Sequence, residues 1–587
     1  MIRSTSSSII SLEDLPDEIL LLIYRYLSSI DILYSFYGLS TRLNETISEI
    51  YCHLFLGDVS YKRFRYICSS IIPQIGYNVC SLIVSDRSIE KLSKIFLEYF
   101  DGRISLIFPK LKCLTFLEVT TDVLLSFIDN LTNLKDLIQL NIYSLNRNNI
   151  DTDGIQILLN KIFSANNSRL NTICYDHQSI PLTVIDQNNH LLYSNIKKLE
   201  IFLEKLHDLH HLLTRLPQIE IFYVGLQYES LEFNHTKEYS SVESLIELNL
   251  ISLGYSFNFN ELSSILNRTK KIEKLSIKID NTDDLHLISG NYFNSFLSSF
   301  HLKQFNYLIK YISNSSINQK EILSTWKQFS QQFDYLIDDD QNHIILYSIP
   351  IHFSHIGIST RFFTNISSIN NHFHKIQSLR LYGVPHIISE IFPILTKCKK
   401  IKYLDFNGGD DDIVLKLRKE THLCKLVHLT HLLLLRSSVD IKSFQELLQS
   451  SPNLFDLNIH SKPLHSLLDQ QSICHILGQQ ITNLYIYIIY SDHIEQITTS
   501  LSRLSSIFKC LKHLYININM NDTISESLIL SIFNQLAQWP CLVSFEIFGL
   551  SEKFQESIRH WFLNNSQFNE SKSFLSEYTK RRFQLRL

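Results

Sequence analysis

The residues best equipped for chemistry in this 587-residue chain lie in a few short stretches. His207, Asp208, His210 and His211 share one Leu-rich helical segment, and imidazoles with a carboxylate are the donor types of a zinc site. The segment lacks the Glu of an HExxH pair, so it reads as a partly exposed helix face, with no metal assigned. Asp410, Asp411 and Asp412 follow Gly408-Gly409 after a predicted strand; calcium or a basic peptide would suit them, and the reading adopted is a solvated loop. Ten cysteines run from Cys52 to Cys541 without a CxxC pair, which reads as reduced structural thiols. No glycine-rich phosphate loop occurs among only 14 glycines, so no cofactor is expected. No catalytic set is recognisable by motif, and the chain reads as a non-enzyme. Such sets are assembled in space, so a hydrolase stays open as a reading that a converging nucleophile and base would reveal.

The elements that position these residues belong to a long, apolar chain with 45% hydrophobic and 19% charged residues. Its formal net charge of -4 comes from 54 basic and 58 acidic residues interleaved along the whole length, which calls for neither a nucleic acid nor a membrane as partner. Residues 1–11 read as a disordered Ser-rich tail that runs into Glu13, Asp14, Asp17 and Glu18 without the apolar stretch of a secretion signal. Apolar runs such as Leu432 to Leu435 fall short of the roughly 18 residues that span a bilayer. The expected location is cytoplasmic or nuclear. At the basic end, Phe583, Leu585 and Leu587 alternate with Arg582 and Arg586, the pattern of a final strand.

Residues 12–56 read as three short helices. Pro16 presets φ at the start of the first, Asp17 and Glu18 suit its positive end, and Ile19, Leu20, Ile23 and Leu27 form its apolar stripe. Ser28 or Ser29 caps the second, which carries Ile32, Leu33, Phe36 and Tyr37 and stops at Gly38. The third starts near Thr41 with Leu43, Ile47 and Ile50. So small a module buries little by itself and is expected to dock on something.

The run Leu12-Glu-Asp-Leu-Pro-Asp-Glu-Ile-Leu, followed by Ile23-Tyr-Arg-Tyr-Leu, Asp31-Ile-Leu, Phe36 and Leu39-Ser-Thr-Arg-Leu-Asn44, resembles an F-box. The resemblance covers under a tenth of the chain. It implies a Skp-type adaptor and, through it, a cullin ubiquitin ligase as partners, with adaptor contacts at Leu15, Pro16, Ile19, Leu20, Ile23, Leu27, Ile32 and Leu33. Tyr37-Gly38-Leu39 departs from the longer polar or basic stretch common in that family.

Beyond it, in the interval 57–587 read as one repeat domain, a pattern of apolar, two variable, apolar, one variable, apolar recurs from about residue 80 onward. Examples are Leu111-Lys-Cys-Leu-Thr-Phe, Ile196-Lys-Lys-Leu-Glu-Ile, Ile376-Gln-Ser-Leu-Arg-Leu, Leu454-Phe-Asp-Leu-Asn-Ile and Leu511-Lys-His-Leu-Tyr-Ile. Starts lie roughly 23 to 33 residues apart, a leucine-rich-repeat period. Between them, Ser438 to Ser451 and Thr523 to Gln538 carry helical periodicity, each with a Pro just beyond. The expected fold class is therefore α/β: a three-helix F-box-like module, then a curved leucine-rich-repeat solenoid with parallel strands on its concave face and helices outside. Such a repeat domain resembles the one many F-box proteins use for substrate capture. The rhythm fails in an irregular segment at 308–375, where Phe333 to Ile337 and His343 to Ile349 read as two strands about a polar turn.

Together these features predict a substrate-recognition subunit of an SCF-type ubiquitin ligase; the rival is a stand-alone repeat scaffold with a non-functional F-box remnant. Side chains alternate across a strand, so the variable positions flanking the second apolar residue of each repeat face the concave side. Arg380, Tyr382, Tyr403, Asp405, His460, Tyr485, Tyr487, His513, Tyr515 and Phe548 are thus the candidate contacts for an unknown protein substrate. The alternative is that these rings pack against one another as cross-strand pairs.

Overall fold

The structure is a computed structural model that describes residues 12–48, 50–57, 59, 61–86, 92–145, 152–184, 192–227, 240–254, 256–312, 319–337, 343–359, 373–382, 394–395, 397–407, 413–415, 425–435, 437–488, 503–518, 531–532, 539, 541–548, 575–579 and 582–586. The protein is α/β with mostly parallel sheets, and divides into two compact units, Met1–Leu245 and Ile246–Leu587.

The first unit opens with three helices, α1 (Asp17–Tyr24), α2 (Ser29–Phe36) and α3 (Thr41–Thr46). Ser28 caps α2 by accepting the Asp31 N–H at 3.1 Å, and Ser40 caps α3 through Leu43 N–H at 3.3 Å. Gly38 follows α2 at φ +83, a conformation that costs glycine little. Pro16 sits at the N-cap of α1 instead of its first turn, and α1 stops at Tyr24, three residues before Leu27. The module's core is Leu20, Tyr24, Ile30, Ile32, Leu33, Leu43 and Ile47. It is fastened to the next helices by Arg63, which pairs with Asp31 at 2.7 Å and lies over the Tyr34 ring at 5.0 Å.

Seven strands follow, parallel and in chain order: β1 (His53–Leu56), β2 (Ser81–Ser85), β3 (Cys113–Leu117), β4 (Gln139–Tyr143), β5 (Thr172–Tyr175), β6 (Lys198–Leu203) and β7 (Ile221–Leu226). β1 lies inside the interval read as purely helical: it pairs with β2 and also packs on α2, with Leu54 and Leu56 buried.

The second unit starts with parallel β8 (Glu247–Ser252), β9 (Lys274–Thr282) and β10 (Gln304–Ile312). The irregular segment then resolves into a helix, Gln319–Trp326, and an antiparallel pair, β11 (Gln332–Ile337) and β12 (His343–Ile349), with β12 also antiparallel to β10. Parallel pairing resumes at β13 (His355–Ser359), still inside that segment, and runs through β14 (Ser378–Tyr382), β15 (Tyr403–Asn407), β17 (His431–Leu435), β19 (Asp456–His460), β20 (Asn483–Ile488), β21 (His513–Ile518) and β22 (Ser544–Phe548). Two short strands, β16 (Ile413–Leu415) and β18 (Ser437–Val439), pair separately. β23 (Leu575–Thr579) and β24 (Arg582–Arg586) close this sheet antiparallel, so the basic end does hold a strand.

Each block quoted above carries a strand that starts two residues after its first apolar residue, as Leu454 precedes Asp456 and Leu511 precedes His513. The second and third apolar residues then point inward: Leu404, Phe406, Leu457, Ile459, Leu484, Ile486, Leu514 and Ile516 are no more than 1% exposed. Full burial of one such side chain contributes about 1.5–3 kcal/mol. Units are spliced by a recurring main-chain contact in which one carbonyl accepts two successive N–H groups of the next repeat. Cys80 O takes Lys112 N and Cys113 N at 2.8 and 3.1 Å, and Lys512 O takes Val543 N and Ser544 N at 2.7 and 3.0 Å. Asn195, Ser244 and Asn453, each just before a repeat's first apolar residue, reach a carbonyl one repeat earlier at 2.6 to 2.9 Å. The expected helix after Ser438 is present as Ile441–Ser450, capped by Asp440. The one expected at Thr523 to Gln538 lies almost wholly outside the described residues.

Candidate binding surfaces

The His cluster is not on an exposed face. Asp208, His210, His211 and Arg215 are all buried in the helix Leu206–Arg215 along with its leucines. The connection before β6 reaches the start of this helix: Leu182 bridges to Leu203, and Val184 N–H donates to Asp208 Oδ1 at 2.9 Å. Among the described residues no group of three or more His, Cys, Asp or Glu is arranged to hold a metal ion. Asp410 to Asp412 and Lys580 to Arg581 lie outside the described residues.

Among the described residues, hydroxyl–imidazole contacts that bear on hydrolysis include Ser354 with His355 at 2.7 Å, Thr430 with His431 at 2.8 Å, and Ser544 with His513 at 2.8 Å. Thr430–His431 has a carboxylate beside it, Asp456, at 3.9 Å from the imidazole, beyond hydrogen-bond distance. All three contacts sit at strand starts, which makes them a feature of the repeat register.

The first surface is apolar and belongs to the helical module. Of the expected adaptor contacts, Leu20, Ile32 and Leu33 are 0 to 2% exposed and form the module's core, where α1 packs on α3 and α2 packs on β1 and the helical turn Ile67–Ile71. Leu15 and Ile23 are half-buried, while Pro16, Ile19 and Leu27 are exposed. The sequence reading leaves out Leu12, Leu21, Leu22, Tyr26 and Leu39, which are exposed as well. Ile19, Leu22 and Tyr26 stand at i, i+3 and i+7, and so extend one apolar stripe along α1 and past its end. Helical spacing carries this signal, but two apolar faces on one short helix do not say which is inward. The Leu-Pro turn is held by Arg42 of α3, whose guanidinium donates to Glu13 O at 2.5 Å, Leu15 O at 2.7 Å and Asp17 Oδ1 at 2.6 Å.

The second surface is the strand face opposite the core in β14 to β22. Arg380 Nε donates to Asp405 Oδ2 at 2.6 Å across neighbouring strands; burial pushes the Asp405 carboxyl up, against the pull of Arg380. Tyr403 stacks on His431 at 4.3 Å, a histidine that the candidate set omits although it holds the matching position one repeat on. Beyond the buried Asp456, His460 stacks on Tyr487 at 5.9 Å, and Tyr485, Tyr515 and Phe548 form a run with centroids 5.3 and 5.2 Å apart. His513 is half-buried beside Ser544. The side chain of Tyr382 lies outside the described residues. The rings therefore do pack on one another, and each of these six, Tyr403, His460, Tyr485, Tyr487, Tyr515 and Phe548, keeps part of its surface open. Such a pre-packed aromatic face loses little side-chain freedom when a partner covers it.

No protein-family model matches this chain, and no curated protein matches it. The two surfaces accordingly carry the functional argument by themselves. No helix among the described residues is long and apolar enough to cross a membrane.

Proposed function

We propose that this chain is the substrate-recognition subunit of a cullin-type ubiquitin ligase: an F-box-like module docks a Skp-type adaptor, and a leucine-rich-repeat solenoid presents a target protein. The observation that carries the reading is the module's open apolar stripe. Ile19, Leu22 and Tyr26 are 41, 47 and 88% exposed, whereas the apolar positions of the repeat strands are almost fully buried. A contiguous apolar patch of this kind is the usual mark of a protein-binding site. The Leu-Pro turn beside it is held by Arg42, which donates to the Glu13 and Leu15 carbonyls. In support of the second half of the proposal, the half-buried tyrosines of β20 and β21 are of the residue type that dominates interface energetics.

Co-purification with the adaptor and cullin tests the reading. Leu15→Ala with Pro16→Ala should abolish adaptor recovery while the repeats stay folded, since repeat units are stabilised by their neighbours. Arg380, Tyr485, Tyr487 and Tyr515 changed together to Ala should keep the adaptor and lose the target. A wild-type chain that recovers neither adaptor nor cullin leaves the stand-alone scaffold as the reading.

A further inference from the structure

Two cysteines occupy the same rung of neighbouring repeats in the first unit. Cys52 and Cys80 each follow the first apolar residue of a block, Tyr51 and Val79, and each stands one residue before the strand partners His53 and Ser81. Their main chains are in direct contact, since the Cys52 carbonyl accepts Cys80 N–H and Ser81 N–H, both at 2.9 Å. Parallel chains joined in this way run about 4.8 Å apart. A disulfide needs a Cα separation of roughly 4.4–6.8 Å, so the backbone already meets its span.

Two other rungs show that side chains at this position meet across the ladder. Glu220 N–H donates to the Lys197 carbonyl at 2.8 Å, and the side chains of the same two residues pair at 3.0 Å. Lys303 N–H donates to the Glu273 carbonyl at 2.7 Å, and those side chains pair at 2.8 Å. The first two repeats put a thiol on each side of the rung where these repeats put an ion pair. Both thiols are free and half-buried, within reach of a solute. Cys52 Sγ lies 3.5 Å from the Ser48 carbonyl and Cys80 Sγ 3.6 Å from the Asn78 carbonyl, weak contacts that a rotation about χ1 gives up at little cost. The nearby cysteines are poor competitors. Cys68 is 1% exposed, and burial pushes its thiol well up; Cys113 is one position off the rung, where Lys112 stands beside Cys80, and its sulfur lies against Asn141 Nδ2 at 3.5 Å.

We propose that Cys52 and Cys80 are a disulfide-forming pair whose oxidant is a small disulfide such as oxidised glutathione. One cysteine, as thiolate, attacks a glutathione sulfur, which forms a mixed disulfide and releases one glutathione thiolate. The second cysteine thiolate then attacks the protein-borne sulfur of that mixed disulfide, forming the Cys52–Cys80 bond and releasing the second glutathione. The pair gives up two electrons and two protons, and both end on the two glutathione thiols. The loop so closed contains the helices Tyr61–Tyr66 and Ile72–Ile75 and the turn Ile67–Ile71 between them, and its Arg63 holds Asp31 of the helical module at 2.7 Å. Oxidation therefore locks the platform on which that module packs, whether or not the module docks an adaptor.

The test equilibrates the full chain with reduced and oxidised glutathione, blocks the remaining thiols by alkylation, and maps the disulfide-linked peptides by mass, in buffer and in concentrated urea. A Cys52–Cys80 link should dominate in buffer, with an oxidation equilibrium at least about tenfold more favourable than in urea, because the fold and not the chain brings the thiols together. Amide exchange across Ile67–Ile75 should slow in the oxidised chain, and Cys80→Ser should show no such slowing under the same oxidant. Cys113→Ser should leave the link unchanged. Absence of the link, a link to Cys68 or Cys113 in its place, or an equal equilibrium in urea would each overturn the assignment. The comparison of buffer with urea is made on the wild-type chain, so it decides the matter even if Cys80→Ser fails to fold.

Discussion

Asp208 makes the stability of its repeat depend on pH, with a sign opposite to that of most carboxylates. The side chain is 4% exposed and accepts the N–H groups of Val184 at 2.9 Å and Lys205 at 3.2 Å. Burial pushes its carboxyl from the ordinary 3.8 up to about 6; Glu204 adds to the rise, and the two backbone donors and Lys205 restrain it. A carboxyl whose folded pKa exceeds its unfolded one holds its proton more tightly when folded, so stability is lost as pH rises between those two values. A rise of about two units corresponds to about 3 kcal/mol, absent at the acid end of the interval and complete at its upper end. Asp208→Asn removes the titration but leaves a single carbonyl for two donors, at a cost of about 1 kcal/mol. The variant should therefore be slightly less stable than wild type near pH 4 and more stable by roughly 2 kcal/mol near pH 7. Amide hydrogen exchange of Leu206–Arg215 and of residues 182–184, corrected for intrinsic rates, reads this locally. Parallel pH profiles for the two proteins would refute the reasoning.

Leu457→Asp puts an unpaired carboxylate at a site 0% exposed in the middle of β19, and should destabilise by about 3 kcal/mol or more and open the flanking strands to protease. A native-like digestion pattern would show that the strand register is wrong. Gly290→Ala would set a Cβ 2.4 Å from the Thr325 carbonyl oxygen, a backbone atom with no room to yield, so a loss of about 1–3 kcal/mol should appear as a lowered thermal midpoint. Arg42→Ala releases the carbonyls of Glu13 and Leu15, and should weaken adaptor co-purification while Leu20, Leu33 and Leu43 keep the module folded. Unchanged recovery of the adaptor by a folded Arg42→Ala chain would remove Arg42 from the docking argument.

The apolar-x-x-apolar-x-apolar blocks located the strands from sequence alone, because alternate burial along a strand leaves a period of two that a short window shows. Helix starts were legible where a small polar residue meets its own backbone, as at Ser28 and Asp440, whereas the Ser40 cap was not read from sequence. The hairpin of β11 and β12 was readable from two apolar runs about a polar turn. Burial set by distant chain was not. His210 and His211 have the composition of a surface helix, yet both are buried, and the distant residue Val184 reaches the same helix at Asp208. Which stripe of α1 is core depended on where α3 packed, so Leu20 went inward while Ile19 and Leu22 stayed open. Periodicity is a local property that the chain carries residue by residue; desolvation and missing partners are sums over neighbours far apart in sequence, and exist only once the fold has assembled them.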